Sequence, residues 1–246
     1  MRKHAYICRS KTTGTKKPYI VYMLTVIGLF LLLLSAPGCQ SQSMPTPAST
    51  PPPTQNVAQA AQYNERGIAL AKQSDFENAI TEFTKAIELN PEYTDAYINR
   101  GFAHNHLREN DKALEDFTKA IEIDPNDASV YAYRGDTYTM KGEYDKAIAD
   151  FNKAIGLDPN YKAAYNSRGV ALAGKKEYDK AIADYTKAIE LDPDYALAYF
   201  HRGLAYKLTG NKTWATDDLA KCIELTNDPS LIQLAKLELQ ALLPQQ

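Results

Sequence analysis

Residues 128–161 read ASVYAYRGDTYTMKGEYDKAIADFNKAIGLDPNY, and residues 162–195 read KAAYNSRGVALAGKKEYDKAIADYTKAIELDPDY. The two stretches align without a gap, and the same 34-residue period continues on both sides of them. In each period a tyrosine precedes an arginine–glycine pair by three residues, and these tyrosines are Tyr63, Tyr97, Tyr131, Tyr165 and Tyr199. A fixed period of this length indicates an array of small units that bury their apolar faces against one another.

The small residues of each unit predict two closely packed antiparallel helices. Glycine at the eighth place, and alanine at the twentieth and usually the twenty-seventh, let the second helix approach the first. A bulky apolar residue four positions after the first alanine fills the space around them, and these residues are Phe83, Phe117, Phe151, Tyr185 and Leu219. Gly142 and Gly210 are predicted to lie in the turns between helices. Asn-Pro or Asp-Pro closes four units, because the residue before proline leaves the α region and proline suits a helix start.

The pattern resembles the tetratricopeptide repeat family, and the resemblance covers ~170 residues of the chain. It implies an all-α fold, namely a right-handed superhelical solenoid of five helix-turn-helix units with a C-terminal capping helix. The predicted units are residues 60–93, 94–127, 128–161, 162–195 and 196–227.

The capping helix is predicted over residues 228–243. Asp228 suits the N-cap position and Pro229 the first helical position. An apolar stripe follows and is expected to cover the last unit; its residues are Leu231, Leu234, Ala235, Leu239 and Leu242.

Each unit also carries an arginine at the seventh place and an acid at the twenty-third. Because these places lie nearly opposite each other in an antiparallel hairpin, we expect a ladder of arginine–carboxylate pairs within units or between neighbouring ones. The competing partner of each acid is a lysine three residues later, which would form only a weak surface pair. The acids are Glu82, Asp116, Asp150, Asp184 and Asp218.

The first 38 residues predict an export signal. They contain six basic residues and no acid, and residues 19–36 are an uncharged run of about 27 Å if helical. Ser35-Ala36-Pro37-Gly38-Cys39 follows, and the whole resembles the signal of a bacterial lipoprotein. The resemblance implies cleavage before Cys39, diacylation of its thiol, and a body anchored to the cell membrane or outer membrane outside the cytoplasm. Pro37 departs from the usual pattern, and an uncleaved signal anchor is the alternative.

Residues 39–59 are rich in Pro, Ser, Thr and Gln and lack apolar periodicity. We therefore expect a disordered tether, which holds the folded body away from the membrane.

Charge and composition exclude several function classes. Without the six basic residues of the signal, 22 basic residues face 30 acidic ones, a balance that argues against nucleic-acid binding. The cysteines and histidines show no metal-ligand spacing, and no catalytic set or phosphate-binding loop is present. We expect no enzymatic activity, cofactor, metal or small-molecule substrate. His104 is expected in the core, His106 at the surface, and Cys222 as a small buried filler.

The resemblance also implies a concave groove, lined by the first helix of each unit, that binds an extended or helical peptide. Amides there could pair with a peptide backbone, and aromatic residues could serve as anchors. The alternative for each residue is simple solvent exposure. The predicted groove residues are Asn64, Ile98, Asn99, Phe102, Asn105, Tyr133, Asp136, Met140, Asn166, Phe200 and His201. The basic side chains of the family's carboxylate clamp are missing from the matching positions.

The sequence thus predicts a scaffold or adaptor of the bacterial cell envelope that binds a protein or peptide segment. The alternative is a non-catalytic structural subunit of an envelope assembly or secretion complex, such as one for pilus or outer-membrane biogenesis. Both readings rest on the fold and the membrane attachment alone.

Overall fold

The computed structural model describes residues 53–242, and this part of the chain consists of helices without strands. The helices are α1 (Pro53–Lys72), α2 (Phe76–Leu89), α3 (Thr94–His106), α4 (Asn110–Ile123), α5 (Ala128–Met140), α6 (Tyr144–Leu157), α7 (Lys162–Gly174), α8 (Tyr178–Leu191), α9 (Ala196–Leu208), α10 (Lys212–Leu225) and α11 (Pro229–Gln240). Consecutive helices pack against each other, and several odd-numbered helices also contact the next odd-numbered one. The predicted all-α solenoid is confirmed.

The first helix differs from the prediction. Helix α1 begins at Pro53, so the prediction of a disordered tether up to residue 59 was wrong over residues 53–59. Proline has no N–H to lose at the first helical position, and the alanines that follow favour the helix. Ala60 is fully buried, which ties this extra turn to the folded body. Residues 39–52, the predicted signal over residues 1–38, and Cys39 lie outside the described residues.

The two helices of each unit meet at the eighth-place glycine. The facing ring is buried in four units, and a Cβ atom on Gly67 or Gly169 would lie 2.4 Å from Phe83 or 2.5 Å from Tyr185. In the fifth unit Gly203 faces Leu219 at a looser 3.1 Å. Each buried ring contributes about 1.5–3 kcal/mol through burial. The predicted close approach of the helices is confirmed.

The turns inside the units need a residue with positive φ. Gly142 and Gly210 take this position with φ values of 77° and 84°, which confirms their prediction as turn residues. In the other three units Ser74, Arg108 and Lys176 take it with φ near 64°. A side chain in this left-handed region costs about 1 kcal/mol, and the packed helices on both sides hold it there.

The predicted arginine ladder forms in all five units. In the third unit Arg134 donates from Nε and Nη2 to the two carboxylate oxygens of Asp150, at 2.7 and 2.8 Å. Its Nη1 also donates to the Thr118 hydroxyl of the preceding unit at 3.2 Å. The carboxylate partner therefore lies within the unit, while the third bond joins neighbouring units. The other rungs are Arg66–Glu82, Arg100–Asp116, Arg168–Asp184 and Arg202–Asp218.

The competing lysine pairs with the ladder acid only in the first unit, where Lys85 contacts Glu82 at 2.6 Å. In the second, fourth and fifth units the corresponding lysines reach a different glutamate, as Lys119 does with Glu122, and Lys153 of the third unit lies over the Tyr131 ring. The ladder acids of units two to five are buried. The largely buried arginine can therefore reach them, and it supplies the counter-charge that a buried carboxylate needs.

The C-terminal cap forms as predicted. Asp228 accepts a hydrogen bond from the Ser230 amide at 2.9 Å, and Pro229 is the first helical residue. Ala235 is fully buried, and the predicted leucine stripe packs against Leu219 and Cys222. The burial of Cys222 and His104 and the exposure of His106 are also confirmed.

The glycine contact gives a matched test. We expect Gly169→Ala to lower the unfolding free energy by about 1–3 kcal/mol, because the new methyl group would overlap the buried ring of Tyr185. Gly156→Ala is the control, since a Cβ atom there meets nothing within 4 Å. Higher helix propensity should leave the control equal to or more stable than the wild type, by up to ~1 kcal/mol. Urea unfolding followed by circular dichroism measures both, and equal effects of the two variants would contradict the packing argument.

Candidate functional site

The face of the odd-numbered helices begins and ends with polar pairs. At the first end, Asn99 on α3 donates to Asn64 Oδ1 on α1 at 3.0 Å, and Asn64 donates to the Tyr93 hydroxyl at 3.3 Å. At the far end, His201 Nδ1 on α9 lies 2.9 Å from Asn166 Oδ1 on α7. The three asparagines are buried, so these amides connect adjacent units at the groove floor.

Aromatic side chains occupy the middle of this face. Phe102 on α3 and Tyr133 on α5 meet edge to face, with ring centroids 4.6 Å apart, and both stay partly exposed. Phe102 also packs on the core ring of Phe117 at 5.5 Å. Ile98 belongs to the same cluster and is buried. This middle section therefore offers a partly open aromatic surface on an apolar floor.

Asn105 follows one turn after Phe102 and leaves an unused acceptor. Its Nδ2 donates to the Thr137 hydroxyl at 2.8 Å, and that hydroxyl donates to the backbone carbonyl of Tyr133 at 2.9 Å. This chain of bonds fixes the amide orientation. The Asn105 Oδ1 atom is buried and accepts no hydrogen bond from any described residue.

Asp136 lies on α5, one helical turn beyond Tyr133. Burial raises the pKa of its carboxyl from 3.8 to about 6, and a hydrogen bond from the Ser167 side chain on α7 offsets part of that rise. Among the described residues no lysine, arginine or histidine forms an ion pair with it. At neutral pH the site therefore holds a negative charge that burial disfavours.

Two further acids and a tyrosine lie near this point. The pKa of Asp95 is raised, first by burial and second by the charge of Asp127. The pKa of Tyr161 is raised by burial, with added contributions from Tyr133, Asp136 and Asp127, so the phenol stays protonated. These electrostatic couplings place Asp95, Asp127, Tyr161 and Asp136 in one neighbourhood.

The structure divides the predicted groove residues into two groups. Asn64, Ile98, Asn99, Asn166 and Phe200 are buried against neighbouring helices and form the floor of the face. The accessible residues are Phe102, Asn105, Tyr133, Asp136, Met140 and His201. Met140 is the most open of them, with 57% of its surface exposed. A role of either group in binding stays a prediction.

Sequence reasoning missed the residues that stand just before the odd-numbered helices. Tyr93, Asp127, Tyr161 and Tyr195 occupy the thirty-fourth place of successive units, and at least three of them interact with the face. The sequence did contain a pattern that could have found them, since tyrosine recurs at the thirty-fourth place of three units. The prediction considered only positions within the first helix of each unit.

Comparison with known families identifies the repeat. Family models described as TPR repeat match residues 62–106, 135–176 and 174–210, and models described as tetratricopeptide repeat match residues 94–127, 117–149 and 196–229. The chain belongs to the tetratricopeptide repeat family. A tetratricopeptide repeat solenoid is a protein-interaction scaffold, and its class of partner is a protein or a peptide.

Solved tetratricopeptide repeat structures share this fold. MamA is 28% identical with a TM-score of 0.57, and the match covers 64% of this chain and 92% of that one. YrrB, described as having an unusual peptide-binding site, is 24% identical with a TM-score of 0.56 over 75% and 95%. PilW, described as a type IV pilus biogenesis factor, is 20% identical with a TM-score of 0.63 over 74% and 92%.

A curated relative matches over a short stretch. The uncharacterized protein MJ0572 of Methanocaldococcus jannaschii is 41% identical over 46 residues, which is 19% of this chain and 54% of that protein. The match thus spans about half the length of that relative.

Among residues 53–242, no helix is long and apolar enough to cross a bilayer, and no three His, Cys, Asp or Glu side chains are placed to hold a metal ion.

The raised pKa of Asp136 predicts a stability change that depends on pH. Because the folded-state pKa of about 6 exceeds the ordinary 3.8, the carboxyl binds its proton more tightly in the folded state. Its unfavourable contribution is absent below pH ~4 and grows until it is complete above pH ~6. Asp136→Asn should therefore raise the melting temperature at pH 8 by several degrees, since about 3 kcal/mol of unfavourable free energy is removed, and change it little at pH 4.

Asp217→Asn is the control, because Asp217 is an exposed carboxylate on α10. Differential scanning calorimetry of the three proteins at the two pH values measures the effect. The same offset for Asp136→Asn at both values, or a lower melting temperature at pH 8, would show that burial does not act on this group as described.

Proposed function

We propose that this chain is an exported adaptor of the bacterial cell envelope, which binds an extended segment of a partner protein along the face of its odd-numbered helices. One observation carries the proposal: partly exposed side chains of α3, α5 and α9 lie above a floor of buried amides and apolar groups. These side chains mix aromatic rings, which can anchor side chains, with polar groups, which can pair with a peptide backbone.

The envelope location is proposed on the N-terminal sequence. The basic head, the uncharged run over residues 19–36 and the small residues before Cys39 resemble a lipoprotein signal. PilW, a solved neighbour of the fold, is described as a pilus biogenesis factor, which supports a surface-assembly setting by analogy alone. YrrB supports the peptide-binding half of the proposal in the same way.

A second candidate is a non-catalytic structural subunit of an envelope complex. Trp214 favours it, because it exposes 61% of its surface on α10, a helix that carries none of the predicted groove residues. Trp214 lies against Tyr206, with ring centroids 5.4 Å apart, so an aromatic pair is presented there. Such a pair could join a fixed neighbour by the outside of the solenoid.

A photo-crosslinking amino acid at Met140 or at Trp214 separates the two candidates. Both side chains are exposed to a similar degree, and neither lies in the core. We expect the probe at position 140 of the full chain to capture a partner in native membranes, while the probe at position 214 captures little. Mass spectrometry of the crosslinked bands provides the readout. Capture only from position 214 would favour the structural subunit and reject the groove.

Cys39 carries the proposed lipid attachment. We expect metabolic labelling with an alkyne-tagged fatty acid to mark the wild-type chain and to be lost in Cys39→Ala, because the thiol is the acylated group. Cys222→Ala is the matched control, since this thiol is fully buried and should leave labelling unchanged. Label that survives Cys39→Ala would refute the site. A wild-type chain that takes up no label but stays in carbonate-washed membranes would indicate the uncleaved anchor.

A further inference from the structure

The turns inside the five units lie side by side along one edge of the solenoid. Contacts between successive units show this: Phe76 stacks on His106 with ring centroids 4.3 Å apart, and Lys175 pairs with Asp145 at 2.6 Å. We call this surface the turn edge, and it comprises residues 72–78, 106–112, 140–146, 174–180 and 208–214. The loops between units form the opposite edge, at residues 90–95, 124–129, 158–163 and 192–197.

The two edges differ in charge. The opposite edge carries seven acidic residues and one lysine, whereas the turn edge carries nine basic residues and eight acidic ones. In the last two units the turn edge has four basic and two acidic residues. Two of those cations, Lys176 and Lys212, are exposed and form no ion pair with any described residue. The turn edge of the last two units is therefore the side that an otherwise acidic body can present to an anionic surface.

The same end of the turn edge exposes large apolar side chains. Trp214 and Leu208, the last residue of α9, each have 61% of their surface exposed. Trp214 holds the nineteenth place, where three other units carry a lysine paired with a glutamate and the first unit carries an asparagine. Its ring contacts Tyr206, with centroids 5.4 Å apart, and most of its surface stays open to solvent. Tryptophan thus replaces a polar surface residue in the fifth unit alone.

An exposed tryptophan beside unpaired lysines suits the surface of a bilayer. Tryptophan combines an apolar ring with a polar N–H group, which favours the boundary between lipid headgroups and acyl chains. Lysines at the same level are attracted by anionic headgroups. A stable protein interface needs ~800 Å² on each partner, and one tryptophan supplies at most ~250 Å². A body tethered to the membrane needs a smaller contact, because the tether keeps its effective concentration at the bilayer high.

The proposed tether is long enough for this edge to reach the membrane. Helix α1 has 20 residues and ends at Lys72 on the turn edge. With this edge on the bilayer, Pro53 stands at most ~30 Å above the surface, which is the length of the helix. The 14 residues at positions 39–52 can span up to ~43 Å at the rise of a proline-rich chain. The acidic edge then faces away from the headgroups.

We propose that the turn edge of the fourth and fifth units rests on an anionic lipid bilayer, with Trp214 inserted among the headgroups and Leu208 beside it. Lys176 and Lys212 contact the lipid phosphates. The proposal rests on the proposed function, because it assumes a chain anchored to the membrane, and it adds the orientation of the body there. It also accounts for the low capture of protein that is expected from position 214.

Trp214 is the only tryptophan of the chain, so its fluorescence reports this contact directly. The full chain is purified from membranes and reconstituted into vesicles of phosphatidylglycerol and phosphatidylcholine, whose acyl chains carry bromine or do not. Bromine quenches an indole that it can touch. We expect brominated lipid to remove about half of the emission, because an inserted indole lies at the boundary of headgroups and acyl chains.

The matched control moves the tryptophan to the other end of a helix pair. Val57 lies near the start of α1, away from the turn edge, and has 54% of its surface exposed. In the double variant Trp214→Phe/Val57→Trp the indole is closer to the tether, yet brominated lipid should leave its emission nearly unchanged. Equal quenching of both proteins would show that the body meets the bilayer in no fixed orientation, and this would overturn the proposal.

Lysine variants test the electrostatic part. Lys212→Gln should lower the ratio of docked to undocked chains about fivefold, because each lysine near an anionic surface adds to the attraction. Lys236→Gln is the control, since Lys236 is an exposed lysine on α11 outside the turn edge. The same quenching in both variants would contradict the assignment to an anionic bilayer.

Unquenched emission from the wild-type chain would overturn the docked orientation. Capture of a protein by the crosslinking probe at position 214 would overturn it too, and would assign Trp214 to a protein neighbour. The proposed anchor is judged separately, by fatty-acid labelling of Cys39. A labelled chain with unquenched Trp214 leaves the envelope location standing without a docked body.

Discussion

The contact between the eighth-place glycine and the facing ring is the constraint on which the rest of the solenoid depends. A hydrogen atom in place of a side chain lets the two helices of a unit close onto Phe83, Phe117, Phe151 or Tyr185, and no other residue type fits at this distance. The hairpin geometry then brings the seventh place beside the twenty-third, which is why the arginine and its acid meet. The ladder pairs thus depend on the close approach of the two helices that glycine permits.

The ladder links neighbouring units as well as the two helices of one unit. A guanidinium group has donors to spare after it has bound a carboxylate, and here Nη1 uses one of them on Thr84, Thr118, Asn152 or Thr186 of the unit before. Because the aspartate is buried, loss of its arginine partner would destabilise the fold more than loss of a surface ion pair, since a buried charge without its partner is costly. Each arginine of units two to five therefore contacts side chains of two other helices.

The 34-residue period was enough to predict the fold and the ladder, because both rest on residues that recur in register, and the cap was predicted from its own Asp-Pro start and apolar stripe. The sequence could not show how far individual polar side chains are buried. Asn64, Asn99 and Asn166 look like exposed amides in a polar helix, yet neighbouring units cover them. Asp136 holds the ninth place, where the other four units have an apolar residue, so the repeat did carry a sign that this place is partly buried, and the prediction did not use it. The early start of α1 was missed because a proline-rich composition was read as a property of the whole segment, although Pro53 suits a helix start.

The ladder is not the same at both ends. Arg202 binds Asp218 and Thr186 and 15% of its side chain is exposed, whereas Arg66 meets the longer Glu82 at 3.1 Å and 57% of its side chain is exposed. No unit precedes the first one among the described residues, so Arg66 has no counterpart of the threonine bond. In a linear array whose stability is a sum of neighbour terms, the unit with the fewest terms opens at the lowest free energy. The first unit is therefore expected to unfold locally at a lower free energy than the last one. The Asn64–Asn99 pair lies in the part of the groove that belongs to this less stable end.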